Sequence, residues 1–276
     1  MRVRVNGVEL AYEERGRGPR PLVLVHGFTG FRGDFATQLE ALAGHGRVLA
    51  PDLRGHGESG RSGDPAHYTL AGLAEDLLGF LDALEVERCD LLGHSMGGML
   101  ALRAALGRPE RIASLLLMDT AAGPLHWIDP AQLALASRVA REAGMTALAQ
   151  ILRARAKDDA SRSAPDRRVE AEWGEERFWA WRSARVAAVD PVAYEALGRA
   201  LVEQEDLSPR LLAIAAPTTV LVGELDQEFL APSAALARAI PGAQHVVLPN
   251  AGHQPQHEAP EAWRAAVIAH LVRVRG

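Results

Sequence analysis

Short, largely apolar runs alternate with stripes of helical spacing along the first half of the chain. Leu22-Val23-Leu24-Val25, Cys89-Asp90-Leu91-Leu92 and Ile112 to Met118 have the form of strands covered on both faces. Arg47 to Ala50 is a weaker run that ends at Pro51-Asp52. Between these runs, Leu70, Leu73, Leu77, Leu81 and Leu84 recur at steps of three and four, which predicts a helix with one apolar stripe. Met99 to Leu106 predicts another, stopped near Gly107-Arg108-Pro109. At the start, Arg2–Val5 and Val8–Tyr12 flank Asn6-Gly7, the signature of a hairpin.

The alternation breaks after Asp119. From Gly123 to about Ala215 no convincing apolar strand occurs, while Pro130 to Arg141 and Met145 to Arg155 read as helices. A charged, poorly apolar stretch runs from Lys157 to Glu172, followed by a cluster of Trp173, Phe178, Trp179 and Trp181. Strand signals return at Thr218–Val222 and His245–Leu248, and a last helix is expected over Pro260–Val274. The pattern predicts an α/β fold with a mostly parallel sheet, interrupted by about ninety helical residues.

Composition narrows the field of functions. The chain has 276 residues, enough for one large core with a modest insertion, and 48% of them are apolar. A formal net charge of −5 gives no electrostatic reason to expect nucleic acid or an anionic membrane as partner. Cys89 is the sole cysteine, so no intrachain disulfide can form. The N-terminal segment has no apolar run behind its basic residues, and no stretch is long enough to span a bilayer. A cytoplasmic location, a small-molecule substrate and no cofactor or metal are therefore expected, with oligomeric state left open.

The candidate chemistry centres on Gly93-His94-Ser95-Met96-Gly97, a G-x-S-x-G sequence placed between a buried strand and a helix. A serine on so tight a turn needs small neighbours, because the chain doubles back with no room for flanking Cβ atoms. The helix that follows directs its first N–H groups toward developing negative charge. His26-Gly27-Phe28 closes the earlier strand. The amides of Phe28 and Met96 are the candidate oxyanion donors. His26 itself reads as a structural histidine.

Ser95 needs a base, and His253 is the best placed of ten histidines, following a strand through Pro249-Asn250-Ala251-Gly252. Asp226, delivered after the strand Thr218–Val222 by Gly223-Glu224-Leu225, is the leading candidate to orient it. Asp119, Glu224 and Glu228 compete for that role. Asp52 precedes the serine and reads as a loop organiser. His257, four residues past His253, suggests a metal pair, but no third ligand is apparent.

These residues carry a resemblance. His26-Gly27, DLRGHGESG at Asp52–Gly60, GHSMGG at Gly93–Gly98, GELD at Gly223–Asp226 and AGHQPQHE at Ala251–Glu258 together resemble the α/β-hydrolase superfamily along almost the whole chain. The resemblance implies a core of residues 1–122 and 212–276, with residues 123–211 forming a helical cap over the site. It also implies a serine hydrolase, first a carboxylesterase acting on small to medium uncharged esters. Lactonases, carbon–carbon bond hydrolases of aromatic degradation and cofactor-free haloperoxidase-like perhydrolases share the motifs. Met99 stands where the related menaquinone-pathway lyase usually has an arginine, and Gln254 where the carbon–carbon hydrolases commonly carry tryptophan. Met99, Trp127 and Trp179 are the expected pocket residues, with Arg182 and Arg185 as possible carboxylate binders.

Overall fold

A computed structural model describes residues 1–158 and 162–276, so residues 159–161 of the expected cap lie outside the described residues. The chain opens with the antiparallel pair β1 (Arg2–Val5) and β2 (Val8–Arg15). Asn6 and Gly7 both take positive φ, 45° and 79°, as a two-residue hairpin turn of this twist requires. Six further strands follow: β3 (Leu22–Val25), β4 (Val48–Pro51), β5 (Cys89–His94), β6 (Ile112–Met118), β7 (Thr218–Gly223) and β8 (Gln244–Leu248). The sheet order is β1-β2-β4-β3-β5-β6-β7-β8, and every pairing from β4 to β8 is parallel.

Eleven helices are found among the described residues. In chain order α1 is Ala36–Ala43, α2 Leu70–Ala83, α3 Met96–Gly107, α4 Pro130–Glu142, α5 Met145–Asp158 and α6 Ala164–Trp173. The rest are α7 Glu175–Ala187, α8 Pro191–Glu203, α9 Gln227–Ala239, α10 Pro255–Glu258 and α11 Pro260–Arg275. Period-two alternation sorts the strand residues between two layers. Val23 and Val25 join Leu73, Leu77 and Leu100 of α2 and α3 on one face. Leu22 and Leu24 join Leu39 of α1 and Trp263 and Val267 of α11 on the other. Because both faces are covered, β3, β5, β6 and β7 are buried at every position. β8, at the sheet edge, is exposed over most of its length.

The chain leaves the sheet after β6, forms α4 to α8, and returns to pair β7 directly beside β6, with Leu115 opposite Thr218. These helices are the inserted cap. The charged stretch from Lys157 to Glu172 is less featureless than its composition suggests, since α6 occupies much of it. Ser163 caps α6 by accepting from the Asp166 amide at 3.1 Å, and Pro165 sits in its first turn. Val169, Phe178 and Trp179 give the cap a small core of its own. Among the described residues no helix is long and apolar enough to cross a membrane.

Candidate active site

The carboxyl ends of β3, β5, β6 and β7 converge beneath the cap, where loops beyond parallel strands can form a crevice. At the end of β5, Ser95 is forced to φ 53° and ψ −118°, a conformation that non-glycine residues rarely adopt. Two glycines permit the turn. A Cβ on Gly93 would lie 2.3 Å from the Gly97 carbonyl oxygen, and one on Gly97 would lie 2.3 Å from that of Val25. Ser95 is thereby held with its side chain on the wall of a cavity of about 510 Å³. Met96 begins α3, where the first amides have no intrahelical acceptor. Phe28 follows β3 and lines the same cavity.

His253 also lines this cavity, and its Nδ1 donates to Asp226 Oδ2 at 2.7 Å. Asp226 is 5% exposed. That contact fixes the tautomer with Nε2 free to accept a proton. Three neighbours to which sequence reasoning gave no role brace His253 and its loop. Phe229 stacks on it with centroids 4.9 Å apart. Glu258 accepts from the amides of Gly252 at 2.6 Å and Gln254 at 3.1 Å, cradling the loop. His94 Nε2 reaches the His253 carbonyl at 2.7 Å, so it donates there. Burial holds the pKa of His94 well below the usual histidine range, and it remains neutral. The spacing Asp226 to Phe229, one helical turn, was the available signal for the aromatic.

Of the other expected residues, Trp127 lines the cavity and packs edge-on against Phe229 at 5.1 Å. Met99 and Trp179 do not reach it. Met99 is fully buried on the first turn of α3, where its sulfur accepts from Gln204 Nε2 at 3.1 Å. Trp179 faces the cap core, donates to Glu170 at 2.8 Å, and lines a separate cavity of about 310 Å³. Trp181, two residues on, borders the main cavity in its place. Arg182 and Arg185 are on the wall, but each already faces a carboxylate: Asp166 at 2.6 Å and the buried Asp34 at 3.0 Å.

His26 is structural as expected: Nδ1 meets the Gly27 carbonyl at 2.8 Å and Nε2 accepts from the Leu53 amide at 3.0 Å. Asp52 ties its loop by accepting from the amides of Arg32 at 2.6 Å and Glu58 at 2.8 Å. His257 is enclosed edge-on by Trp173 and Trp181, and burial lowers its pKa to about 3.

A second serine–histidine contact lies at the opposite end of the sheet. His270 Nε2 is 2.9 Å from Ser114 Oγ, which itself donates to Asp90 at 2.7 Å. The other ring nitrogen of His270 meets Thr219 Oγ1 at 2.8 Å. Ser114 and Asp90 are wholly buried, His270 is 2% exposed, and none of the three lines the cavity.

A serine raised on a strained turn beneath a cap, with a carboxylate-backed imidazole lining the same cavity, is the architecture of a serine hydrolase. A family model for the alpha/beta hydrolase fold matches residues 20–260, and the chain belongs to that family. It is similar along nearly its full length to two solved structures. One is an enol-lactonase from Burkholderia xenovorans LB400, at 30% identity and TM-score 0.82, covering 99% of this chain and 100% of that one. The other is a thermophilic esterase from Thermogutta terrifontis, at 31% identity and TM-score 0.82, covering 100% and 99%. A Pseudomonas putida dihydrolipoyllysine-residue acetyltransferase component of an acetoin cleaving system is 33% identical over 94% of this chain. The chain spans only 65% of that relative's length.

Proposed function

We propose that the chain hydrolyses uncharged lactones through an acyl-enzyme at Ser95, with small acyclic esters as slower substrates. Ser95 Oγ attacks the carbonyl carbon while His253 Nε2 takes its proton, and Asp226 steadies the imidazolium that forms. The oxyanion is received by the amides of Phe28 and Met96. Collapse breaks the ring C–O bond, and His253 returns the proton to the leaving alkoxide. Water, activated by the same imidazole, then releases the hydroxy acid.

The observation that carries this reading is that Ser95 and His253 line one cavity, with Asp226 2.7 Å behind the imidazole. A cavity of about 510 Å³ has room for a small lactone or a short acyclic ester. The near full-length likeness to an enol-lactonase favours the lactone. Because Arg182 and Arg185 are each matched by a carboxylate, an anionic substrate would meet no free cation there and would lose its hydration uncompensated.

The test compares kcat/KM for δ-valerolactone, ethyl valerate and an acidic ring-cleavage dienoate. Each value is divided by the substrate's rate with hydroxide or its uncatalysed rate, on wild-type and Ser95→Ala proteins. The lactone is expected to lead and the Ser95→Ala protein to lose all three activities. A preference for the dienoate by two orders of magnitude would replace ester-bond chemistry with carbon–carbon cleavage.

A further inference from the structure

Asp119 directly follows β6 at φ 45°, its amide donating to the Leu221 carbonyl oxygen at 3.0 Å. Its Oδ1 accepts from the Gly223 amide at 2.9 Å, which fixes the carboxyl across the ends of β6 and β7. Its Oδ2 is buried and receives no N–H or O–H among the described residues. A carboxylate oxygen of Asp119, one of Asp226 and a ring nitrogen of His253 all lie within 4.8 Å of one another. The strongest charges acting on Asp119 are those of Asp226 and Glu258, both negative.

A wholly buried carboxylate with a bare oxygen beside a second carboxylate is costly on two counts, desolvation and like-charge repulsion. One proton removes both. We propose that Asp119 is a positioning residue that keeps its proton in the resting enzyme and donates it, as a hydrogen bond, to the Asp226 carboxylate. Burial first, then the Asp226 charge, push the Asp119 carboxyl well above the usual carboxylate range, in the direction this assignment requires.

Two consequences follow for the base, given the roles assigned above to Ser95, His253 and Asp226. The donated bond fixes the rotation of Asp226, so that Oδ2 stays on His253 Nδ1. The neutral partner also leaves His253 facing one negative charge from this pair instead of two. A second anion so close would favour the imidazolium and leave the base already protonated near neutral pH.

Asp119→Asn retains both an acceptor for the Gly223 amide and an N–H donor for Asp226. It should therefore keep kcat within about threefold and leave the acidic limb of the kcat/KM profile in place. Asp119→Ala removes the donor and should lower kcat about tenfold or more with little change in KM. Infrared difference spectra of the resting enzyme, wild type minus Asp119→Asn, should show a protonated carboxyl band at pH 7. That band is read without substrate, so it decides the matter even if Asp119→Ala fails to fold. No such band, or an acidic limb that moves down by a full pH unit in Asp119→Asn, would mean Asp119 is ionised and overturn the proposal. A loss in Asp119→Asn equal to that in Asp226→Asn would also overturn it, by making Asp119 the orienting acid. If Ser95 takes no fluorophosphonate label, the catalytic reading fails, while the carboxyl band still decides the protonation of Asp119.

Discussion

The two ends of the central sheet carry the same three residue types in opposite circumstances. At the carboxyl end, Ser95 sits at positive φ and lines a cavity, and His253, lining the same cavity, is backed by Asp226. At the amino end, Ser114 lies within β6 with its hydroxyl already donated to Asp90, and both His270 ring nitrogens face hydroxyl oxygens. Asp90 is in turn bound by Arg275 at 2.8 Å and Arg20 at 3.2 Å. Serine, histidine and aspartate in contact therefore do not make a nucleophile. What separates the ends is a bordering cavity, the strained backbone at Ser95, and the start of α3 immediately after it. The amino-end cluster has every polar group engaged, which is how a buried network stabilises a core.

The sharpest way to break this comparison is to delete each hydroxyl in turn. Ser95→Ala should cut kcat by about 10⁴- to 10⁶-fold and abolish fluorophosphonate labelling. Ser114→Ala should keep both label and turnover. Labelling that moved to Ser114, or activity that vanished with its hydroxyl in a folded protein, would reverse the roles of the two ends.

A smaller effect is expected one step behind the nucleophile. Asp226→Asn preserves shape but removes the charge that selects the Nδ1–H tautomer, and kcat should fall about 10³- to 10⁴-fold with substrate binding nearly intact. Steady-state kinetics on the lactone and the ester together check this, and a loss confined to KM would contradict it.

The smallest effect belongs to the amino end and shows in stability. Burial is the main cause that lowers the His270 pKa to about 4, against about 6.5 in the unfolded chain. Between those values the unfolded state binds the extra proton. The contribution of neutral His270 to stability is thus complete above about pH 6.5 and is lost progressively as pH falls toward 4. Urea unfolding at intervals from pH 7 to pH 4 should show this decline. A His270→Gln protein, less stable at pH 7, should show a shallower one, by up to about 1.4 kcal/mol per pH unit. Parallel curves for the two proteins would show that His270 does not titrate in this window.

Much of the sheet was legible because buried parallel strands announce themselves as largely apolar runs. β3 and β6 coincide with Leu22–Val25 and Ile112–Met118 to the residue. The edge strand β8 was legible at His245–Leu248, and the structure adds Gln244. α9 was missed, with Pro232 inside it, because an internal proline ordinarily argues against a helix. Around the site, the turn glycines and the histidine loop could be read because their residue types answer local backbone demands. The pocket could be read only in part, at Trp127, Arg182 and Arg185. Met99 lies a helical turn from Ser95 yet faces the core, and Trp179 and Trp181 differ by two positions on α7, enough to send one inward and the other to the cavity. Those orientations are decided by how the cap docks, a long-range packing outcome that local sequence does not encode.

The bond from His94 to the main chain of His253 joins residues 159 positions apart in sequence and adjacent in space. One belongs to the turn that presents the serine, the other to the loop that presents the imidazole. A displacement of either element is therefore handed to the other. With the Glu258 carboxylate gripping two amides of the same loop, the histidine segment is moored both to the serine turn and to the helix beyond it, so the two side chains share a common footing.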